Sequence, residues 1–238
     1  MGQGFRTALR KIVAATLEVG MDDVIFDAPN TDMVPDSGPT AASRSTMIVG
    51  NLGYRAALQM KEKMGEEHAE VEVQYEHPEG HPWDQTTFKG DAYLGYGWGA
   101  ACVEVEVDKI TNEVNVKGIW TSHDIGHPID ELIVHGQVNG GVMQSLGYAA
   151  MEKMENRKGH FRQSSMSDYV IPTSMDFPKQ EYFFVENPYP WGPFGAKGMG
   201  ELVFNGADAA YVDAVERALG ISCTKIPIPV EDIEGLRK

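Results

Sequence analysis

Two stretches of strict alternation constrain this fold most: AACVEVEVD at residues 100–108 and EVNVKGIWTSHD at residues 113–124. Apolar side chains at every second position mean strands with one buried and one solvated face. Only KITN separates the two runs, so they predict an antiparallel hairpin. A lone hairpin cannot hide its apolar face, and the rest of the chain offers helices to cover it. Phe5, Leu9, Ile12, Val13 and Leu17 share one face of a helix predicted over 3–18. A second helix is predicted over 45–63, with Leu52, Ala56, Leu58 and Met60 among its apolar residues. A long one follows over 130–154, and DAAYVDAVERALG reads as a helix that stops at Gly220. DVIFDAP and EVEVQYE read as short strands, DYVIPTSMDFPKQEYFFVENP mixes extended and turn signals, and TKIPIPVED reads as an extended close. Helices and strands do not alternate as in a doubly wound sheet, which predicts an α+β fold in two lobes. The polar stretch at 77–90 is the candidate lobe boundary.

The bulk properties exclude several functions. The chain has 238 residues and 42% apolar content, which supports a real core. A net charge of −15 argues against nucleic acid and anionic membranes, both of which need clustered Lys and Arg. No apolar run reaches the roughly eighteen residues of a bilayer span, and no export signal is seen. The two cysteines, Cys102 and Cys223, lie far apart, so four-thiolate metal sites cannot be built from this chain. A cytoplasmic location is expected.

Several motifs carry chemistry. Gly2, Gln3 and Gly4 open the first helix, where free N–H groups and the helix dipole attract anions. SGPTAASRST at 37–46 precedes the second helix; its hydroxyls and N–H groups can cap that helix or donate to a phosphate or heterocycle edge. Gly136, Gly140, Gly141 and Gly147 sit within the long helix around Gln144, at roughly 1 kcal/mol each relative to alanine. They imply close approach of another backbone or of a ligand. GPFGAKGMGE at 192–201 sets a glycine-dense turn before one carboxylate. Apolar Leu202, Val203 and Phe204 follow Glu201, and burial there would make it a plausible general base. His77, His81, His123 and His127 lie in turn-like sequence and form no metal pattern. The common nucleotide and hydrolase signatures are absent.

Taken in order, MGQG, TDMVPDSGPTAASRST, GQVNGGVMQSLGYAAMEK, DYVIPTSMDFP and GAKGMGE resemble the xanthine dehydrogenase and aldehyde oxidase group, the molybdenum hydroxylases. The resemblance covers essentially the whole chain and is to the C-terminal half of the molybdopterin-binding subunit. It implies that Gly2 and Gln3 contact the pterin cofactor, that Thr40, Ala42, Ser43, Arg44 and Ser45 wrap it, and that Gln144 also contacts it. It implies that Glu201 is the catalytic base and that molybdenum is held through the pterin rather than by side chains. The cofactor would be molybdopterin, alone or as a dinucleotide. The implied chemistry is hydroxylation of an electron-poor carbon, as in an N-heterocycle such as a purine, with water as oxygen source. Aldehyde oxidation and a non-catalytic assembly role are the alternatives. Electrons would leave through 2Fe-2S centres to FAD on partner chains. Leu202 stands where the family often has proline. Met1 coincides with a methionine internal to the family's subunit, so either a second chain supplies the N-terminal half or the chain is a truncated product, and an obligate partner is expected.

Overall fold

The structure is a computed structural model that describes residues 2–236; Met1 lies outside the described residues. It divides into two compact units, and the chain passes repeatedly from one to the other. The first unit comprises Met1–Trp98, Asp124–Val134 and Val185–Met199. The 77–90 stretch lies within it, and the first crossing comes at Gly99.

In the first unit, α1 (Phe5–Leu17) packs against α2 (Ser45–Glu62). The contact is close because glycine faces it: a Cβ at Gly53 would lie 2.5 Å from Leu9 Cδ1, and one at Gly50 would meet Pro193 and Ile12. Ile12 is fully buried there. DVIFDAP is extended but pairs with no strand. Side chains of α1 take its carbonyls instead: Arg10 Nε donates to Val24 O at 2.8 Å, and Arg6 donates to Phe26 O. EVEVQYE keeps its alternating exposure but likewise has no ladder. Two short strands, β1 (Trp83–Asp84) and β2 (Lys89–Gly90), form a small hairpin in the polar stretch.

The second unit comprises Gly99–His123, His135–Phe184 and Gly200–Lys238. The predicted hairpin is there as β3 (Gly99–Val107) and β4 (Val114–His123). Asp108 Oδ1 accepts from Ile110 N and Thr111 N and so closes the turn. The register shifts between Glu104 and Val105, which face Gly118 and Val116. This bulge moves the inward side chains of β4 from even positions, Val114 and Val116, to odd ones, Ile119, Thr121 and His123. The boundary between the units falls within α3 (Glu131–Ala150). After a two-residue pair, β5 (Asn156–Arg157) and β6 (His160–Phe161), the strand β7 (Lys179–Phe184) adds to β4 in parallel, giving the order β3-β4-β7. The helix α4 (Ala207–Leu219) lies on β3, burying Ala207, Tyr211 and Val215. Gly220 caps it at φ 67. The expected extended close gives way to α5 (Val230–Leu236), which starts just after Pro229 with Glu231 and Asp232 in its first turn. Both are helix-start signals, and buried Ile233 secures the turn.

Candidate functional site

In the first unit, the 40–45 loop bends sharply before α2. Ala42 and Ser43 both hold left-handed backbone, with φ of 56 and 52, uncommon for residues with a Cβ. Arg44 is the N-cap residue and gives no side-chain cap. Thr40, Ala42 and Arg44 are exposed, while Ser43 and Ser45 are half-buried. The glycine-dense loop reaches this bend. A Cβ at Gly198 would fall 1.3 Å from Ser43 O, so only glycine allows that approach. Two segments far apart in sequence therefore touch through backbone.

The other side of the glycine loop is held by residues 124–127. Lys197 N donates to Ile125 O at 2.8 Å, and His127 N donates to Gly195 O at 3.1 Å. Gly126 bridges to Ala196, and a Cβ at Gly126 would sit 2.1 Å from Gly195 O. Lys197 Nζ forms an ion pair with Asp124 Oδ2 at 2.7 Å, and the two side chains are only 9% and 3% exposed. The same ammonium donates to Tyr96 O at 3.1 Å, and Asn187 Nδ2 donates to Asp124 Oδ2 at 2.8 Å. Burial alone would raise the Asp124 carboxyl. Hydrogen bonds from Lys197 and Asn187 reverse this and hold it below the ordinary carboxylate value. No local signal marks this network, because its ion pair spans 73 residues.

At the start of α1, Gly2 is exposed and Gln3 half-buried. Gly4 is the N-cap residue in left-handed conformation, φ 82, with no side-chain cap. A Cβ there would lie 2.6 Å from Ile133 Cγ2.

In the second unit, Glu201 heads a tight turn in which Phe204 N donates to Glu201 O and Asn205 N to Leu202 O, both at 3.2 Å. The burial suggested by the apolar run falls on Val203, 1% exposed, and not on Glu201, which is exposed. Gly141 of α3 makes room for Val203, whose Cγ2 would lie 2.4 Å from a Cβ. This contact sets the Glu201 turn against the stretch of α3 that carries Gln144, also exposed. Gly147 is a packing glycine, crowded by Glu152 and Pro172, whereas Gly136 and Gly140 face open space. Among the described residues, no group of three or more His, Cys, Asp or Glu could hold a metal ion, and no helix is long and apolar enough to cross a membrane.

Known proteins resemble this chain in sequence and fold. The chain is 27% identical over 281 residues to the 6-hydroxypseudooxynicotine dehydrogenase complex subunit gamma of Paenarthrobacter nicotinovorans, covering 100% of this chain and 35% of that one. It is 28% identical over 265 residues to the xanthine dehydrogenase molybdenum-binding subunit of Escherichia coli O157:H7, covering 96% and 35%. Among solved structures, the aldehyde oxidoreductase from Desulfovibrio gigas superposes with a TM-score of 0.85 at 27% identity, over 99% of this chain and 28% of that one. The chain thus spans about a third of the length of these curated relatives. The molybdopterin cofactor-binding domain family matches residues 1–79 and 65–178, and the chain belongs to that family.

Proposed function

We propose that this chain forms part of the cofactor-binding subunit of a molybdenum hydroxylase that acts on an electron-poor carbon of an N-heterocycle, with Glu201 as base. The observation that carries this reading is the contact within the first unit between Gly198 and Ser43 O, which sets the glycine-dense loop against the loop expected to wrap the pterin. The residues fit such a group. The cap residues of α1 and α2 lend no side chain to the first-turn N–H groups, so donors and a favourable dipole remain for an anionic edge. Gly2, Gln3, Thr40, Ala42, Ser43, Arg44, Ser45 and Gln144 would hold the cofactor. Once bound, the molybdenum-bearing pterin supplies Lewis acidity and a two-electron acceptor. Glu201 would accept a proton there, on a turn held against α3 by buried Val203.

An exposed apolar groove supports a heteromeric assembly. A groove of about 270 Å³ is lined by Leu9, Val13, Phe26, Ala56, Met60 and Val71, and Ile25 beside it is 83% exposed. A partner chain with the rest of the cofactor and substrate pocket would cover it, and iron–sulfur and flavin carriers would sit on further partners. The likeness to the Desulfovibrio gigas aldehyde oxidoreductase favours aldehydes as the second substrate class.

Glu201→Gln in the purified complex tests the base. Turnover should fall on the order of 10²–10⁴-fold with molybdenum content unchanged. Normal turnover would overturn the assignment of Glu201, and a wild-type complex without molybdenum would overturn the cofactor reading. Parallel assays with N-heterocycles and aldehydes decide the substrate class.

A further inference from the structure

We infer that residues 70–76 are an open strand that pairs through its backbone with an extended segment of a partner chain whose outward side chains are Lys or Arg. This deepens the heteromeric assembly proposed above and needs neither the role of Glu201 nor the substrate class. The segment has the side chains of a strand without its ladder. Val71 and Val73 are half-buried, while Glu70, Glu72, Gln74 and Glu76 are exposed. Among the described residues, the backbone of 71–76 makes no hydrogen bond, and the Glu70 carbonyl takes Lys63 Nζ at 3.1 Å.

A second extended segment meets the same groove. Val24, Phe26 and Val71 line it together with Leu9 of α1 and Ala56 of α2. On one edge the segment at 24–26 is already tied, since Arg10 and Arg6 of α1 donate to Val24 O and Phe26 O. In extended chain the intervening residue turns its N–H and C=O the other way, and those of Ile25 have no partner among the described residues. The helices thus carry two single extended segments where a sheet would complete a second layer. An added strand would satisfy an open edge and place its own apolar positions in the groove. The outward face decides its chemistry. Glu66, Glu67, Glu70, Glu72, Glu76 and Glu79 fall within 64–79, which holds no Lys or Arg. Like charges directly opposed across strands destabilise the pair, so a second copy of this segment is disfavoured and a basic strand is favoured.

The test compares amide hydrogen exchange in the peptide spanning 69–77 between the full chain alone and the complex recovered through a tag on it. Exchange there should be fast in the chain alone and at least about 100-fold slower in the complex, with β3 and β4 slow in both as the control for folding. Val73→Pro and Gln74→Pro each delete one N–H, on opposite edges of the segment. Neither N–H is bonded within this chain, so both variants should melt like wild type on their own. One of them should weaken assembly about tenfold, the loss expected for one backbone hydrogen bond, and the other should assemble normally. Glu70→Lys with Glu72→Lys should weaken it too, by an amount that shrinks as salt is raised. Equal exchange in chain and complex overturns the proposal, as does normal assembly of both proline variants. Protection that arises in a dimer of this chain overturns the basic partner and makes the occupant a second copy. A complex that protects 69–77 but holds no molybdenum would sink the cofactor reading and leave the docking strand standing.

Discussion

His123 closes β4 with its ring 2% exposed, and neither ring nitrogen has a hydrogen-bond partner among the described residues. Burial disfavours the charged imidazolium and lowers the pKa below the ordinary 6.5. The unfolded chain therefore takes up a proton below about pH 6.5 that the folded chain refuses, and stability is lost as pH falls from there. Asp124 and Asp130 act in a lower window. Both are held below the ordinary 3.8, Asp130 chiefly by its hydrogen bond from Lys11, so their contribution is intact above 3.8 and is lost as pH falls through their folded values. Between about pH 6.5 and pH 5 the decline should thus come from His123, at up to about 1.4 kcal/mol per pH unit. Urea unfolding of wild type and of His123→Leu across that range checks this. The slope should flatten in the variant, and an unchanged slope would mean that another group titrates.

The elements legible in the sequence were those whose signal is local. The hairpin of β3 and β4 announces itself by alternation and a short turn, and α1, α2 and α4 by their spaced apolar residues. EVEVQYE carries the same alternation as β3 but finds no partner, because pairing is a property of two segments. DVIFDAP is fixed by arginines of α1, and α5 hides behind two prolines that read as extended chain. The site divides in the same way. Its glycine loops and Glu201 stand out locally, but the Lys197–Asp124 ion pair joins remote segments. Long-range support also starts α4, since buried Ser145 of α3 accepts from Asp208 N through Oγ at 2.9 Å. Ser145→Ala should leave that N–H without its acceptor and lower stability by about 1–3 kcal/mol. Denaturation of the variant should show this, together with faster exchange confined first to the opening turn of α4.

At the scale of the whole molecule, the interleaving of the two units along the chain decides how it can fold. Residues 1–98 form most of the first unit, yet its core is completed by later segments. Pro193 packs over Gly50, Phe194 stacks edge-on against Tyr54 at 5.1 Å, and Lys11 bonds Asp130. Each contact closes a loop of a hundred residues or more, so the chain entropy lost is recovered only when both passages are in place. A fragment of residues 1–98 should therefore keep the helical tendency of α1 and α2 without cooperative unfolding. Circular dichroism with heating would show a broad, shallow melt for the fragment, against a sharp transition for the full chain. A sharp transition in the fragment would mean that packing of α1 on α2 suffices, and that segments 124–134 and 185–199 dock on a unit already formed.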